Sequence, residues 1–281
     1  MKCVAPGLLL IGLCAFAKTA TAQYSNDAGA REKHFIYEIK QVDEFFERFN
    51  DDKDSFIRKV YASYKKKYNI KREDLVKTLF NYETNSWNPV IIDSFISYIT
   101  NKEHPKLLNF YGKNWYAEAN CRFQYEGTEI DVPVILKLDA DANNRARWII
   151  ESVKKNPFPP AGNDLKITVK DRSKFIHPAS HTNNFIALSK ALEDKENLPV
   201  YFDESFFRRD NSTAFFATIL YNRAQLLYVK SIRYHFLQVD GWVFTVESFP
   251  RKSLNSGWLI SSLQKITPSE KHQYEDTLLG K

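Results

Sequence analysis

Glycine, methionine and cysteine are all scarce in this sequence, and each shortage argues against particular kinds of site or fold. Only 9 of the 281 residues are glycine, which disfavours the glycine-rich loops that hold phosphate groups. A single methionine stands against 21 phenylalanines and 15 tyrosines. This aromatic excess favours strands and broad aromatic packing over a purely helical bundle.

Long apolar runs are missing after residue 22, so no transmembrane segment is predicted there. The first 22 residues show the parts of a signal peptide: a positive start at Lys2, an apolar stretch from Leu8 to Phe16, and a small-residue cleavage motif ending at Ala22. The sequence therefore predicts a signal peptide over residues 1–22, cleavage near Ala22, and an exported protein that is periplasmic or secreted.

A single cysteine remains once the predicted signal peptide is removed. Cys3 and Cys14 belong to the signal peptide, so the exported chain keeps Cys121 alone and cannot form an internal disulfide. Cys121 falls in the apolar register of a predicted strand. We therefore expect it to be a small buried hydrophobe and not a reactive thiol.

Positive charge is present only in modest excess. The exported chain keeps 38 of the 40 basic residues against 34 acidic ones, a formal charge of +4. The densest basic cluster is Lys65–Lys67, flanked by Tyr64 and Tyr68. Basic and aromatic residues together can hold a polyanion, but so small a net charge favours a solvated helix end. No nucleic-acid partner is predicted.

The first part of the exported chain has the periodicity of helices. Apolar residues recur at steps of three and four, as on the buried face of an amphipathic helix. Asp54 or Ser55 can cap the second helix, and Pro89 suits the first turn of the fourth. The predicted helices cover residues 31–49, 54–64, 71–80 and 89–100.

Apolar residues then recur at every second position, which is typical of strands with one solvent-exposed face. Strands are predicted over residues 115–125, 130–138 and 147–153, forming an antiparallel meander. Helices followed by such a meander indicate the α+β class, with the N-terminal helices packed on a curved antiparallel sheet. Residues 23–155 are thus predicted to form a first α+β domain.

A proline-rich stretch, residues 156–164, is the predicted linker to a second half made of a helix and another antiparallel meander. Asp240-Gly241 is the strongest hairpin signal in that half. Residues 268–281 are predicted to be a polar tail. The second half, residues 165–267, contains predicted strands at 165–169, 214–221, 226–239, 242–249 and 257–266, and a helix at 182–192.

Two similar phrases close the two meanders: RWIIESVKK from Arg147 and GWLISSLQK from Gly257. Trp148 and Trp258 occupy the same place in each phrase and are predicted to seal a core. Ordinary strand composition can also produce such a match. The halves could therefore be a true duplication or parts of one continuous domain.

The segment FFERFN and the meander WYAEANCRFQYEG…RWIIESV resemble the nuclear-transport-factor-2-like superfamily, particularly its exported members in Bacteroidetes-type bacteria. The resemblance covers about residues 31–155. It implies a cone, made of helices and a curved sheet, that holds a pocket. The superfamily includes both enzymes and non-catalytic binders, and the resemblance assigns no functional residue here.

Motifs for metal or nucleophilic chemistry are incomplete. The run starting at Asp139 resembles a calcium loop, but Asn144 replaces the glycine and Ile150 the final glutamate. His177 and His181 have the i, i+4 spacing of a metal pair on a helix, but Pro178 indicates a loop. No G-x-S-x-G motif is present. The sequence therefore predicts no catalytic, metal or cofactor site.

Pocket residues are predicted beside the Asp240-Gly241 hairpin, where Tyr234, His235 and Glu247 lie on the facing strands. The function we expect is a non-catalytic binding or scaffold protein of the cell envelope. Its partner would be an envelope protein, a glycan or a small apolar ligand. The alternative is a pocket enzyme, a lyase, isomerase or hydrolase of the nuclear-transport-factor-2-like kind, in which such residues perform acid/base chemistry.

Overall fold

A computed structural model describes residues 38–63, 70–140, 145–160, 168–208 and 210–281. The predicted signal peptide and the Lys65–Lys67 cluster lie outside the described residues, as does most of the predicted strand at 165–169. The described residues form helices packed on one curved antiparallel sheet, which confirms the predicted α+β class. Among the described helices, none has both the length and the apolar character needed to cross a membrane.

Within the described ranges, four α-helices precede the sheet. They are α1 (Val42–Asn50), α2 (Phe56–Ser63), α3 (Arg72–Lys77) and α4 (Pro89–Ile99). Helix α1 buries Phe45, Phe46 and Phe49 on one face, as the apolar spacing predicts. The Asn88 side chain accepts a hydrogen bond from the Val90 amide at 3.0 Å and so caps α4.

The helix predicted over residues 31–49 is wrong at residues 38–41, because Ile39 forms a bridge to the sheet and the helix begins at Val42. Residues 31–37 lie outside the described residues. The Ile39 amide donates to Ser256 O at 3.2 Å, and its carbonyl accepts from the Trp258 amide at 2.8 Å. Gly257 lies between these partners with φ +86°, and a Cβ at this position would clash with the backbone of Ile39. Residue 257 must therefore be glycine for the chain before α1 to bridge to the sheet.

Six strands of the described residues form the sheet, in the order β3-β2-β1-β4-β5-β6, and all neighbours are antiparallel. Strand β1 pairs with β4 from Trp115 opposite Phe236 to Tyr125 opposite Ala224, so both predicted meanders belong to one sheet. The two copies of the tryptophan phrase are its outermost strands. The strands are β1 (Trp115–Tyr125), β2 (Thr128–Ala140), β3 (Ala146–Val153), β4 (Ala224–Phe236), β5 (Trp242–Phe249) and β6 (Gly257–Lys265).

Between the meanders, the secondary structure of the described residues is helical. It contains 3-10 turns at Pro178–Asn183, Leu198–Tyr201 and Glu204–Arg208, and the helices α5 (Ile186–Glu193) and α6 (Asp210–Leu220). The strand predicted over 214–221 is wrong, because α6 occupies that segment. Every residue from Ala214 to Ile219 is buried, so this part of the helix has no exposed side that would reveal its period.

Aromatic side chains fill the space between the helices and one face of the sheet. On that face Phe236 stacks on Trp115 and on Phe244, with ring centroids 5.7 and 4.9 Å apart. Phe158, from the predicted linker, is also buried and meets Tyr125 at 5.0 Å. One hydrophobic cluster thus crosses the predicted boundary at 156–164. Whether the segments on either side fold alone stays a prediction.

The other face of the sheet is partly covered by a helix, α7 (Pro268–Leu279), where the sequence predicts a polar tail. Thr267 and Glu270 form a capping box at its start. At its end Leu278 and Leu279 are buried, and Ser152 Oγ donates to Leu279 O at 2.6 Å. Apart from these two leucines, Tyr274 is the apolar residue of this helix that packs against the same cluster, and it is partly buried. So few apolar positions do not form the long repeating stripe that predicts a helix.

Candidate functional site

A groove with a volume of 640 Å³ lies between α7 and strands β4, β5 and β6. Strand register explains why polar side chains gather on this face. His235 lies opposite Tyr116 on β1 and Thr245 on β5, and Arg233 lies opposite Glu247. Opposed residues of antiparallel strands project to the same side of the sheet, so each polar position adds to one row.

His235 is at the floor of the groove and is 4% exposed. Its Nε2 lies 2.8 Å from Glu118 Oε2, and its Nδ1 lies 2.7 Å from the Tyr274 hydroxyl. A carboxylate only accepts hydrogen bonds, so Nε2 carries the proton and donates to Glu118. Tyr274 then donates to Nδ1. Both nitrogens of a neutral imidazole are therefore occupied by internal partners.

Two basic residues flank this histidine. Lys154 Nζ lies 3.6 Å from Glu118 Oε2, and Arg233 donates to Glu247 Oε1 at 3.0 Å. Burial alone raises the pKa of Glu118, but the hydrogen bond from His235 and the nearby cations outweigh it and lower that pKa to about 2. Glu118 is therefore the fixed negative charge at the floor.

The other titratable groups at the floor are also displaced. Burial lowers the pKa of His235 from its ordinary 6.5, and the charges of Lys154 and Arg233 act in the same direction against Glu118. Burial, followed by the charge of Glu118, raises the pKa of Tyr274 to about 12. At neutral pH the histidine and the tyrosine are both uncharged.

A row of hydroxyl groups continues the groove across β5 and β6. The Thr245 hydroxyl lies 2.8 Å from that of Ser261 and 2.6 Å from that of Ser262. A bulge makes this possible: Thr245 pairs with Ser262 while Val246 pairs with Ile260, so Ser261 is the extra residue. Two successive serines thereby reach the same threonine.

The structure separates the three residues predicted to line a pocket. His235 and Glu247 line the groove, but Tyr234 lies on the opposite face, because successive residues of a strand alternate. Its ring is buried against Trp258 at 5.0 Å. Its hydroxyl has no hydrogen-bond partner among the described residues. Tyr234 is therefore corrected from a groove residue to a core residue.

Sequence reasoning missed three residues of this site. Glu118 and Lys154 come from the first meander, and Tyr274 comes from α7. The alternation of β1 placed Glu118 on its polar side, which was the available signal for that residue. No local pattern indicates that β1 pairs with β4, or that α7 crosses the sheet.

The other residues considered from the sequence as metal ligands or as a reactive thiol do not form a common site. His177 is exposed, and its Nδ1 accepts a hydrogen bond from the Ala179 amide at 3.1 Å. His181 is buried, with Nδ1 2.7 Å from Pro178 O and Nε2 3.1 Å from Asp43 Oδ1. In the described part of the chain, no group of three or more His, Cys, Asp and Glu side chains could hold a metal ion. Cys121 is buried as predicted, and burial raises the pKa of its thiol.

Comparison of the chain with protein-family models, with curated proteins and with solved structures finds no match.

Proposed function

We propose that this protein is a non-catalytic binding protein of the cell envelope and that the groove between α7 and strands β4–β6 holds its ligand. The observation that carries the proposal is the internal pairing of the charged floor. His235 uses both ring nitrogens within the protein, Arg233 is paired with Glu247, and Lys154 lies beside Glu118. This network holds the floor in one fixed arrangement.

The protonation states support binding over acid/base catalysis. A general acid or base works best when its pKa lies near the operating pH. Here the pKa of Glu118 is lowered to about 2 and that of Tyr274 is raised to about 12. His235 has no ring nitrogen left for a substrate proton. We therefore propose that these groups hold the groove in shape and do not act as a catalytic acid or base.

The lining favours a ligand rich in hydroxyl groups. Thr245, Ser261 and Ser262 supply hydroxyls, and Gln264 and Gln273 supply amides that both donate and accept. Among the partners expected from the sequence, a glycan matches this lining better than a small apolar ligand. The volume of 640 Å³ lies within the usual range of about 300–1,000 Å³ for ligand pockets.

A pocket enzyme of the nuclear-transport-factor-2-like kind is the second candidate. The chain of hydrogen bonds from Glu118 through His235 to Tyr274 is the observation in its favour, since a carboxylate can orient an imidazole for proton transfer. This alternative requires Tyr274 or His235 to exchange its partner for a substrate. Turnover of a bound glycan would favour the enzyme over the binding protein.

Binding can be tested by filling the groove from its rim. Thr277 is exposed and lines the groove, and its hydroxyl donates to Gln273 O within α7. Thr277→Trp should lower affinity for a neutral oligosaccharide by about tenfold or more in isothermal titration calorimetry. His272→Trp places the same side chain on the same helix outside the groove and should bind as the unmodified protein does. Equal affinities in the two variants, or no binding across a panel of neutral oligosaccharides, would exclude this ligand from the groove.

A further inference from the structure

A second groove, with a volume of 720 Å³, lies at the opposite edge of the sheet, beside β3. It is distant in sequence from α7 and shares no lining residue with the groove there. Four cationic side chains line it: Arg145 and Arg147 from the start of β3, and Arg172 and Lys174 from the loop that follows. Asp139 is the acidic residue of the lining, so positive charge prevails.

The loop is fixed to the sheet and so presents its side chains in a set direction. The Trp148 amide donates to Ile176 O at 2.9 Å, and Trp148 Nε1 donates to Pro178 O at 2.7 Å. Ile176 is buried between Phe175 and His177, which are both exposed. An extended segment alternates its side chains, so burial of Ile176 turns its two neighbours outward into the groove.

The cationic side chains of this groove differ in whether they have an ion-pair partner. Arg147 Nε lies 3.1 Å from Asp139 Oδ2. Arg172 and Lys174 are exposed and make no ion pair in the parts of the chain that the structure describes. The Ala179 amide occupies Nδ1 of His177, so a neutral His177 carries its proton on Nε2 and can donate there. Within the described part of the chain, Arg172, Lys174 and Nε2 of His177 are thus donors without an internal acceptor.

Phe175 adds an apolar surface beside these donors. It is 53% exposed, and its ring centroid lies 6.2 Å from that of His177. Guanidinium groups bind phosphate and carboxylate through paired hydrogen bonds, and an aromatic face stacks on a flat partner. The lining therefore combines one surface for an oxyanion with another for a ring.

We propose that this groove binds a small oxyanionic ligand in which a phosphate, sulfate or carboxylate group is attached to a ring. Arg172 and Lys174 hold the oxyanion and Phe175 packs against the ring. The site is independent of the ligand proposed for the α7 groove. Because its cations are exposed, affinity should fall as the salt concentration rises.

Phenyl phosphate and inorganic phosphate are the test probes, measured by isothermal titration calorimetry at low salt. Phenyl phosphate should bind more tightly, because only its ring reaches Phe175. The double variant Arg172→Gln with Lys174→Gln should weaken phenyl phosphate binding by about tenfold or more. Phe175→Ala should remove most of the preference for phenyl phosphate over inorganic phosphate.

A matched control removes two exposed cations elsewhere, Lys102→Gln with Lys252→Gln. It should bind phenyl phosphate as the unmodified protein does. Four results would overturn the proposal: absence of binding, equal affinity for both probes, a preference that survives Phe175→Ala, or an equal loss in the control variant. Circular dichroism on each variant verifies that the fold is retained, as expected for exposed positions.

Discussion

Two tyrosines near the centre of the sheet, Tyr234 and Tyr274, differ in whether their hydroxyls are satisfied. Tyr234 is buried with no hydrogen-bond partner among the described residues, whereas Tyr274 donates to His235 Nδ1 at 2.7 Å. A buried polar group without a hydrogen-bond partner lowers the free energy of unfolding by about 1–3 kcal/mol. Removing the partner of a buried polar group has a similar cost, because that group is then left unsatisfied. The same chemical change should therefore have opposite effects at the two positions.

Tyr234→Phe should leave the free energy of unfolding unchanged or raise it by about 1 kcal/mol, whereas Tyr274→Phe should lower it by about 1–3 kcal/mol. Urea denaturation of both variants measures the difference. A marked loss of stability in Tyr234→Phe would mean that its hydroxyl has a partner, such as a bound water or a ligand.

The pair of His235 and Glu118 should make stability depend on pH. The folded-state pKa of each group is lowered, from an ordinary 6.5 for His235 and from 4.5 to about 2 for Glu118. A lowered pKa gives stability that is present above the unfolded-state value and is lost as the pH falls. The free energy of unfolding should therefore decrease below pH 6.5, as His235 is forced to charge, and again between pH 4.5 and about 2.

Urea denaturation at a series of pH values tests this dependence. His235→Gln should flatten the decrease between pH 6.5 and 4.5, since glutamine does not titrate. His104 is exposed and its ring makes no hydrogen bond or ion pair in the described part of the chain, so it serves as the control. His104→Gln should keep the decrease, because it leaves the pair of His235 and Glu118 intact. An unchanged curve in His235→Gln would show that His235 does not set the stability in this range.

At the residue scale, the Asp240-Gly241 hairpin placed His235 and Glu247 on facing strands beside a predicted pocket. Tyr234 was predicted to line the same pocket, but it is the neighbour of His235 in the strand, so alternation turns it to the other face. The partners Glu118 and Tyr274 stand 117 and 39 residues from His235. Such contacts depend on which strands pair, and local pattern carries no information about that.

At the element scale, α7 has the largest consequence for the site. Its polar composition predicts a tail, but the capping box at Thr267 and Glu270 starts a helix, and Leu278 and Leu279 anchor its end. The groove exists because this helix lies over the sheet. By contrast, the helices α1 and α4 were predicted from their sequence, because their apolar residues repeat over several turns.

Leu279→Ala should lower the free energy of unfolding by about 2–5 kcal/mol, as expected for a buried leucine. The exposed Thr277→Ala, two residues earlier on the same helix, should change it by less than about 0.5 kcal/mol. Thermal or urea denaturation gives both values. A negligible loss in Leu279→Ala would mean that residues 268–281 do behave as a tail.

At the scale of the whole molecule, the two meanders are coupled by the pairing of β1 with β4 and by one aromatic cluster. Hydrophobic periodicity predicted most strands within each meander, but it could not predict how the meanders meet. The repeated phrases mark β3 and β6. These strands are at opposite edges of the sheet and hold equivalent closing positions around the central pair. Whether the similarity comes from a true duplication stays a prediction.

This coupling predicts one cooperative unfolding transition. Tryptophan fluorescence and far-ultraviolet circular dichroism should give coincident urea curves, because Trp115, Trp148, Trp242 and Trp258 lie in the same cluster. Two separate transitions would favour independently folding units on either side of residues 156–164, as the proline-rich linker suggests.

The most direct test of the proposed function is to map a bound neutral oligosaccharide by nuclear magnetic resonance. If the α7 groove is the binding site, amide shifts should change around Ser261, Ser262 and Gln273, and the oligosaccharide should be recovered intact. Shift changes confined to other parts of the molecule would contradict the site. Conversion of the oligosaccharide into a product would contradict the claim that the protein binds without catalysis.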